Sequence, residues 1–163
     1  MILKVYLETS FFNECCTIRT GDIDRGRRAT SLAWWNTQAP KFDLFISAEV
    51  VRELSNEDFP QAARDPALAM LRGLAIVPYS AEVASLADLL VRERVMPGPA
   101  TAGDAIHLAS AIIHQMDFLL TWNQKHVANP NKRVHLSVIC ARVGITAPQM
   151  VTPDLLVLEE NNE

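Results

Sequence analysis

Cysteine is scarce and unpaired in this chain: Cys15 and Cys16 are neighbours, Cys140 stands far from both, and no CxxC pair exists. That excludes an even-numbered disulfide framework and points to a reducing compartment, with the thiols acting as small core hydrophobes. The histidines (His107, His114, His126 and His135) lack zinc-ligand spacing with them, so a zinc site has no support. Long apolar runs are missing too. No stretch approaches the roughly 20 residues needed to span a bilayer, and Lys4 and Glu8 interrupt the first apolar run before it can read as a signal peptide. The expected location is the cytoplasm. Acid is absent from Phe118 through Thr152, where Lys125, Lys132, Arg133 and Arg142 give +4; since the whole chain carries −4, the remainder carries −8. Such a stretch, like the cluster Arg25, Arg27 and Arg28, is most often a solvated helix face, and charge alone assigns no partner.

What is present is ordinary. Hydrophobic residues at 49% and charged residues at 21% of 163 fit one globular domain with one core. That domain is expected over residues 1–158, with a frayed tail at 159–163. Short apolar runs alternate with helical patterns. Strands are expected at Leu3–Leu7, Phe42–Ile46, Ala75–Val77 and Phe118–Thr121, with an edge strand at Met150–Thr152. The first helix, capped by Thr9 or Ser10, carries Phe11 and Phe12; the second covers Ile23–Thr37 and stops at Pro40. Ser47 caps a helix through about Leu54, another follows near Gln61–Leu71, and Ser80 caps the next. After the Pro- and Gly-rich loop Val95–Gly103, a helix starting at Thr101 repeats Ala105, Ile106, Ala109, Ile112, Ile113 and Met116 at three- and four-residue steps. A basic helical stretch follows Thr121. This alternation predicts an α/β fold: a mainly parallel sheet of four to five strands with helices on both faces. Ligands of such folds gather at the carboxyl ends of the strands, near a topological switch point.

Three acidic residues sit where that rule points. Glu8 follows the first strand, Glu53 lies on the helix after the second, and Asp104 lies in the first turn of the helix before the fourth. Carboxylates converging in a partly buried site repel one another unless a cation sits between them. Magnesium takes oxygen ligands, keeps several waters and needs only one or two direct carboxylates. Structural roles compete with this reading. Thr101 and Asp104 make an acidic capping box, Glu53 is open to a surface role, and its neighbour Glu49 is expected on the exposed side of its helix. Glu8 is harder to explain away, because a charge at the end of a buried parallel strand is costly.

Four segments in order now resemble a known family: the first strand with Glu8-Thr9-Ser10; Val51-Arg52-Glu53-Leu54; Gly103-Asp104-Ala105-Ile106-His107-Leu108-Ala109; and Asp117-Phe118-Leu119-Leu120-Thr121-Trp122-Asn123. They look like the motifs of PIN domains, over nearly the whole chain from Leu3 to Thr152, and are most similar to the VapC-like ribonuclease toxins. The resemblance implies a Mg2+- or Mn2+-dependent endoribonuclease with Glu8, Glu53 and Asp104 as metal ligands and Asn123 completing the catalytic set. It also implies an RNA substrate, a homodimer, and an antitoxin protein as partner. Two positions depart from the pattern. Glu8 stands where most members have Asp, and Asn123 where many have an acid, so the site offers −3 rather than −4. Asp117 starts its strand at the end opposite the site and reads as a turn or capping residue. Placed after that strand, Lys125, His126, Lys132 and Arg133 become candidate contacts for RNA phosphates. Trp122 is a candidate for base stacking, although a core role is the more common one for tryptophan.

Two rivals follow. A receiver-like phosphorylation domain needs an Asp after the third strand, and Val77-Pro78-Tyr79-Ser80 has none. A weakly active or inactive PIN domain that binds RNA or protein is the stronger alternative, since Asn123 adds no charge.

Overall fold

Strand β1 (Lys4–Leu7) sets the layout, because Val5, Tyr6 and Leu7 are all fully buried. Successive side chains of a strand point to opposite faces, so full burial requires cover on both. The computed structural model describes residues 1–159; of the tail expected at 159–163, all but Glu159 lies outside the described residues. β1 is followed by α1 (Thr9–Cys16), α2 (Asp22–Thr37) and a short 3-10 turn (Ala39–Lys41). β2 (Asp43–Ser47) leads into α3 (Ala48–Leu54) and α4 (Gln61–Met70). Then come β3 (Ala75–Val77), α5 (Ala81–Arg92), α6 (Asp104–Ile113), β4 (Phe118–Leu120), α7 (Pro130–Val143) and β5 (Gln149–Val151).

The five strands form one sheet in the order β3-β2-β1-β4-β5, and every pairing is parallel. The chain first builds outward from β1 to β2 and β3, then crosses back to lay β4 on the other side of β1. The switch point therefore lies between β1 and β4, where Leu7 pairs with Leu120 and the Glu8 N–H donates to the Leu120 carbonyl at 3.0 Å. Tyr6 reaches His107 on α6, on the face where α5 and α6 pack together. α1 packs on α2 and α4, and an aromatic group of Phe11, Phe12, Trp34 and Phe42 fills that part of the core. The Trp34 indole N–H donates to the Leu156 carbonyl at 2.7 Å, which fastens the end of the described chain to α2.

Strand and helix bounds fall within about one or two residues of those expected, the usual scatter of element ends; the exceptions are the helix expected from Thr101 and the basic helical stretch expected after Thr121, which begins only at Pro130. The caps differ more, for physical reasons. α1 is capped by Glu8, whose carboxylate accepts the Ser10 N–H at 3.1 Å, rather than by Thr9 or Ser10. Ser47 holds the cap position of α3, but its hydroxyl bonds Tyr6 at 2.6 Å. Pro40 sits in the 3-10 turn, after α2 has already ended. The Thr101–Asp104 capping box does not form. Thr101 is exposed in the preceding loop, α6 begins at Asp104, and the cap position belongs to Gly103 at φ 70°. A side chain there would be strained, so glycine gives the turn its left-handed residue.

Glu49 is the other correction. It is buried rather than surface-exposed, because it accepts from Arg52 and, at 2.8 Å, from the Gly103 N–H. Glu49 thereby ties α3 to the start of α6. Ser80 does cap α5, and Asp117 caps the start of β1 by accepting the Lys4 N–H at 2.8 Å.

Candidate metal centre

The carboxyl ends of β1 and β4 open into a cleft of about 410 Å3 lined by Glu8, Asn13, Arg52, Glu53, Asp104 and Asn123, among others. A larger cavity lies at the opposite end of β4 against Asp117 and Gly144, remote from these acids. The structure thus brings all four acid-or-amide candidates to one place. Each arrives on a different element: Glu8 from the end of β1, Glu53 from the last turn of α3, Asp104 from the first residue of α6, and Asn123 from just beyond β4.

The carboxylates share one pattern. Glu8 is 5% exposed, and its Oε2 accepts from the Ser10 N–H, the Ser10 hydroxyl and the Thr121 hydroxyl, the last at 2.8 Å. Glu53 accepts at Oε1 from Thr9 Oγ1 at 2.8 Å and from His107 Nε2. Asp104 accepts at Oδ1 from Asn123 Nδ2 at 3.1 Å. Among the described residues, the second oxygen of each of these three carboxylates has no hydrogen-bond donor. One oxygen is fixed by the protein and the other is left over, three times around one cleft. Asn123 is itself fixed, since its Oδ1 accepts the His126 N–H at 3.1 Å.

The tightest group is not the expected three. Ligand atoms of Glu8, Glu53 and His107 lie within 4.8 Å of one another, whereas Asp104 stands farther out on the cleft wall beside Asn123. His107 is the residue that sequence reasoning missed. It lies three residues after Asp104 on α6, so it shares a side of the helix, but the surrounding apolar repeat made it read as core. Thr9, Ser10 and Thr121, the donors to Glu8 and Glu53, were missed as well. A threonine at a strand end carries no signal of its own.

Burial and charge act against each other here. Burial alone would raise the Glu53 carboxyl, but the hydrogen bond and charge of His107, with Thr9 and Arg52, outweigh it and hold the group below the usual range. For His107, burial lowers the pKa, while the bond to Glu53 and the charge of Glu8 raise it by more. A lowered carboxyl contributes stability above its ordinary value of 4.5 and loses it as pH falls through the folded value. A raised imidazole contributes stability below its ordinary value of 6.5 and loses it as pH rises through the folded value. The Glu53–His107 pair therefore adds most to the metal-free protein between those two values. The difference in melting temperature between wild type and Glu53→Gln should be widest in that window and narrow on both sides. A difference that grows steadily with pH would show that the pair is not coupled this way.

The four basic candidates do not gather at the cleft. Lys132 Nζ donates to the Arg94 carbonyl at 2.7 Å, and Arg133 donates to the Met150 carbonyl at 2.9 Å. Lys125 is exposed, and His126 is half-buried beside Asn123. Trp122 is half-buried too, with its indole N–H on Ser31 at 2.8 Å and the Arg27 guanidinium 5.1 Å from its ring centre. Arg25, by contrast, pairs on the surface with Asp22.

The chain matches no protein-family profile and no curated protein sequence. Solved structures do resemble it. VapBC2 from Rickettsia felis, bound to a DNA fragment from their promoter, superposes with a TM-score of 0.58 at 16% identity, covering 92% of this chain and 98% of that one. VapC20 from Mycobacterium tuberculosis, a sarcin–ricin-loop-cleaving toxin, superposes with a TM-score of 0.55 at 19% identity, covering 77% of this chain and 95% of that one. At such identities the likeness is one of architecture, and on that ground this all-parallel five-stranded chain has the PIN-like fold of the VapC proteins.

Proposed function

We propose that the chain is a divalent-metal-dependent endoribonuclease that hydrolyses RNA phosphodiester bonds, and that it is the toxin of a toxin–antitoxin pair. One observation carries the reading: Glu8, Glu53 and Asp104 each commit one oxygen to protein donors and keep the other, around a single cleft at the switch point. That pattern fits a hard cation, which needs oxygen ligands held in place by outer hydrogen bonds. It also accounts for three acids in one cleft, whose mutual repulsion otherwise has no return. When bound, magnesium or manganese lowers the pKa of water and stabilises charge on the leaving oxygen. The chain's own residues do the holding: Ser10 and Thr121 fix Glu8, Thr9 and His107 fix Glu53, and Asn123 fixes Asp104. Of the four basic candidates, Lys125 and His126, next along from Asn123, are the ones left to meet phosphates of a bound strand, since Lys132 and Arg133 are engaged by backbone carbonyls; Arg52 lines the cleft itself.

RNA as substrate and a protein antitoxin as partner draw support from the likeness to VapBC2 and to VapC20, a toxin that cleaves the sarcin–ricin loop. A second copy of the chain belongs to the same proposal. One observation favours a weaker enzyme or a binding module instead. Asn123 spends its amide on Asp104 and contributes no charge, so a second cation is held less firmly. Among the described residues no helix is long and apolar enough to cross a membrane.

The direct test is a thermal melt with and without ion. Manganese or magnesium at 100 times its Kd should stabilise the fold by about 2.7 kcal/mol through mass action, worth roughly 5–10 °C for a chain of this size. Wild type that ignores millimolar manganese would leave the metal reading without support.

A further inference from the structure

We propose that His107 and Tyr6 are positioning residues that force Glu53 to bind a cation through one oxygen only, and so select magnesium or manganese over calcium; this rests on the metal-dependent reading above. His107 is fully buried, yet both its ring nitrogens are engaged. Nδ1 lies 2.7 Å from the Tyr6 hydroxyl, which lies 2.6 Å from Ser47 Oγ, and Nε2 bonds Glu53 Oε1. Any buried imidazole needs both nitrogens paired; what sets His107 apart is that one partner is Glu53, a carboxylate of the cleft.

The direction of the chain follows from its end. An ionised Glu53 only accepts, so Nε2 must carry a hydrogen. When His107 is neutral, Nδ1 accepts, Tyr6 donates to it and Ser47 donates to Tyr6. When His107 is charged, Nδ1–H donates to Tyr6, which turns its own hydrogen to Ser47. The two hydroxyls can reverse, and in both states the Nε2–H stays on Glu53. Thr9 Oγ1 adds a second donor at 2.8 Å to that same oxygen. Oε1 is thereby occupied, the carboxylate plane is fixed, and Oε2 is the atom left for a ligand bond. Magnesium and manganese are content with one oxygen per carboxylate, whereas calcium favours more ligands and bidentate carboxylates.

The experiment measures manganese and calcium binding by calorimetry for wild type, His107→Leu, His107→Gln and Tyr6→Phe. Wild type should prefer manganese. His107→Leu should weaken manganese by roughly 10-fold or more, and should weaken calcium less, because the freed carboxylate can offer both oxygens. The manganese-to-calcium ratio therefore falls. His107→Gln, which puts an amide donor where Nε2 was, should restore the ratio. Tyr6→Phe keeps the ring and removes only the hydroxyl, and it should shift the ratio in the same direction as His107→Leu; it carries the test if His107→Leu does not fold. A folded His107→Leu or Tyr6→Phe with the wild-type ratio overturns the proposal, since loss of packing alone does not re-rank two ions. If wild type binds neither ion, the metal reading itself has failed, and that result is distinct from an unchanged ratio.

Discussion

On the proposed reading, Asp104→Ala should stop cleavage of single-stranded RNA in manganese while the chain stays folded. The expected loss is roughly 100-fold or more, because the proposed metal site would lose one of its three carboxylates. The fold survives because little else depends on Asp104. Its side chain gives up one bond to Asn123 and a favourable position at the start of α6, terms of about 1 kcal/mol or less each. Relief of repulsion from the neighbouring acids offsets part of that. No capping bond to Thr101 is lost, since none is made. The melting temperature should thus stay within roughly 2–4 °C of wild type. A time course on a mixed RNA pool, with a chelator control, reads the outcome. Cleavage that persists in Asp104→Ala or in chelator points to a contaminating nuclease or to chemistry elsewhere.

Asn123→Asp should change sign with metal. Without ion, the substitution removes the amide donor and sets a second carboxylate 3.1 Å from Asp104 Oδ1, so the variant should melt lower than wild type. With millimolar manganese the same crowding becomes an added ligand charge, and the variant should gain more than wild type and cleave faster at low ion concentration. The oxygen that accepts from His126 is retained, so the local turn is unchanged. A variant that melts higher without ion would mean that residue 123 and Asp104 do not face one another. An inactive wild type beside an active variant would make the natural protein a weakened nuclease whose work is binding.

Glu8 was readable in the sequence because the end of a buried strand is a costly place for a charge. Glu53 and Asp104 were readable only as candidates, each with a structural role equally at hand. For Asp104 that role fell away once Gly103, with its positive φ, displaced Thr101 from the helix. Glu49 was misread for a related reason. At the first turn of a helix an acid normally faces water, and only the approach of the Gly103 N–H, distant in sequence, makes its burial sensible. The sheet's composition could be read from its apolar runs, but its order could not. Nothing local in β4 says that it lies beside β1 rather than β3. His107 was hidden by its helix, whose apolar repeat absorbs any single residue, and its meaning lies in Tyr6 and Glu53, on two other elements.

The placement of β1 at the centre has a consequence for how the protein is made. Its neighbour on one side, β2, is synthesised soon after it, but its neighbour on the other, β4, comes only at Phe118. Until then the backbone of Tyr6 and Leu7 faces an open edge, and the ribosome holds a chain that already carries Glu8, Glu53 and Asp104 but lacks Thr121 and Asn123. Even after β4 emerges, the Thr121 N–H waits for the Val151 carbonyl of β5 at 2.9 Å. Pairings so distant in sequence form late. Translation therefore delivers the acids first and the strand that organises them last.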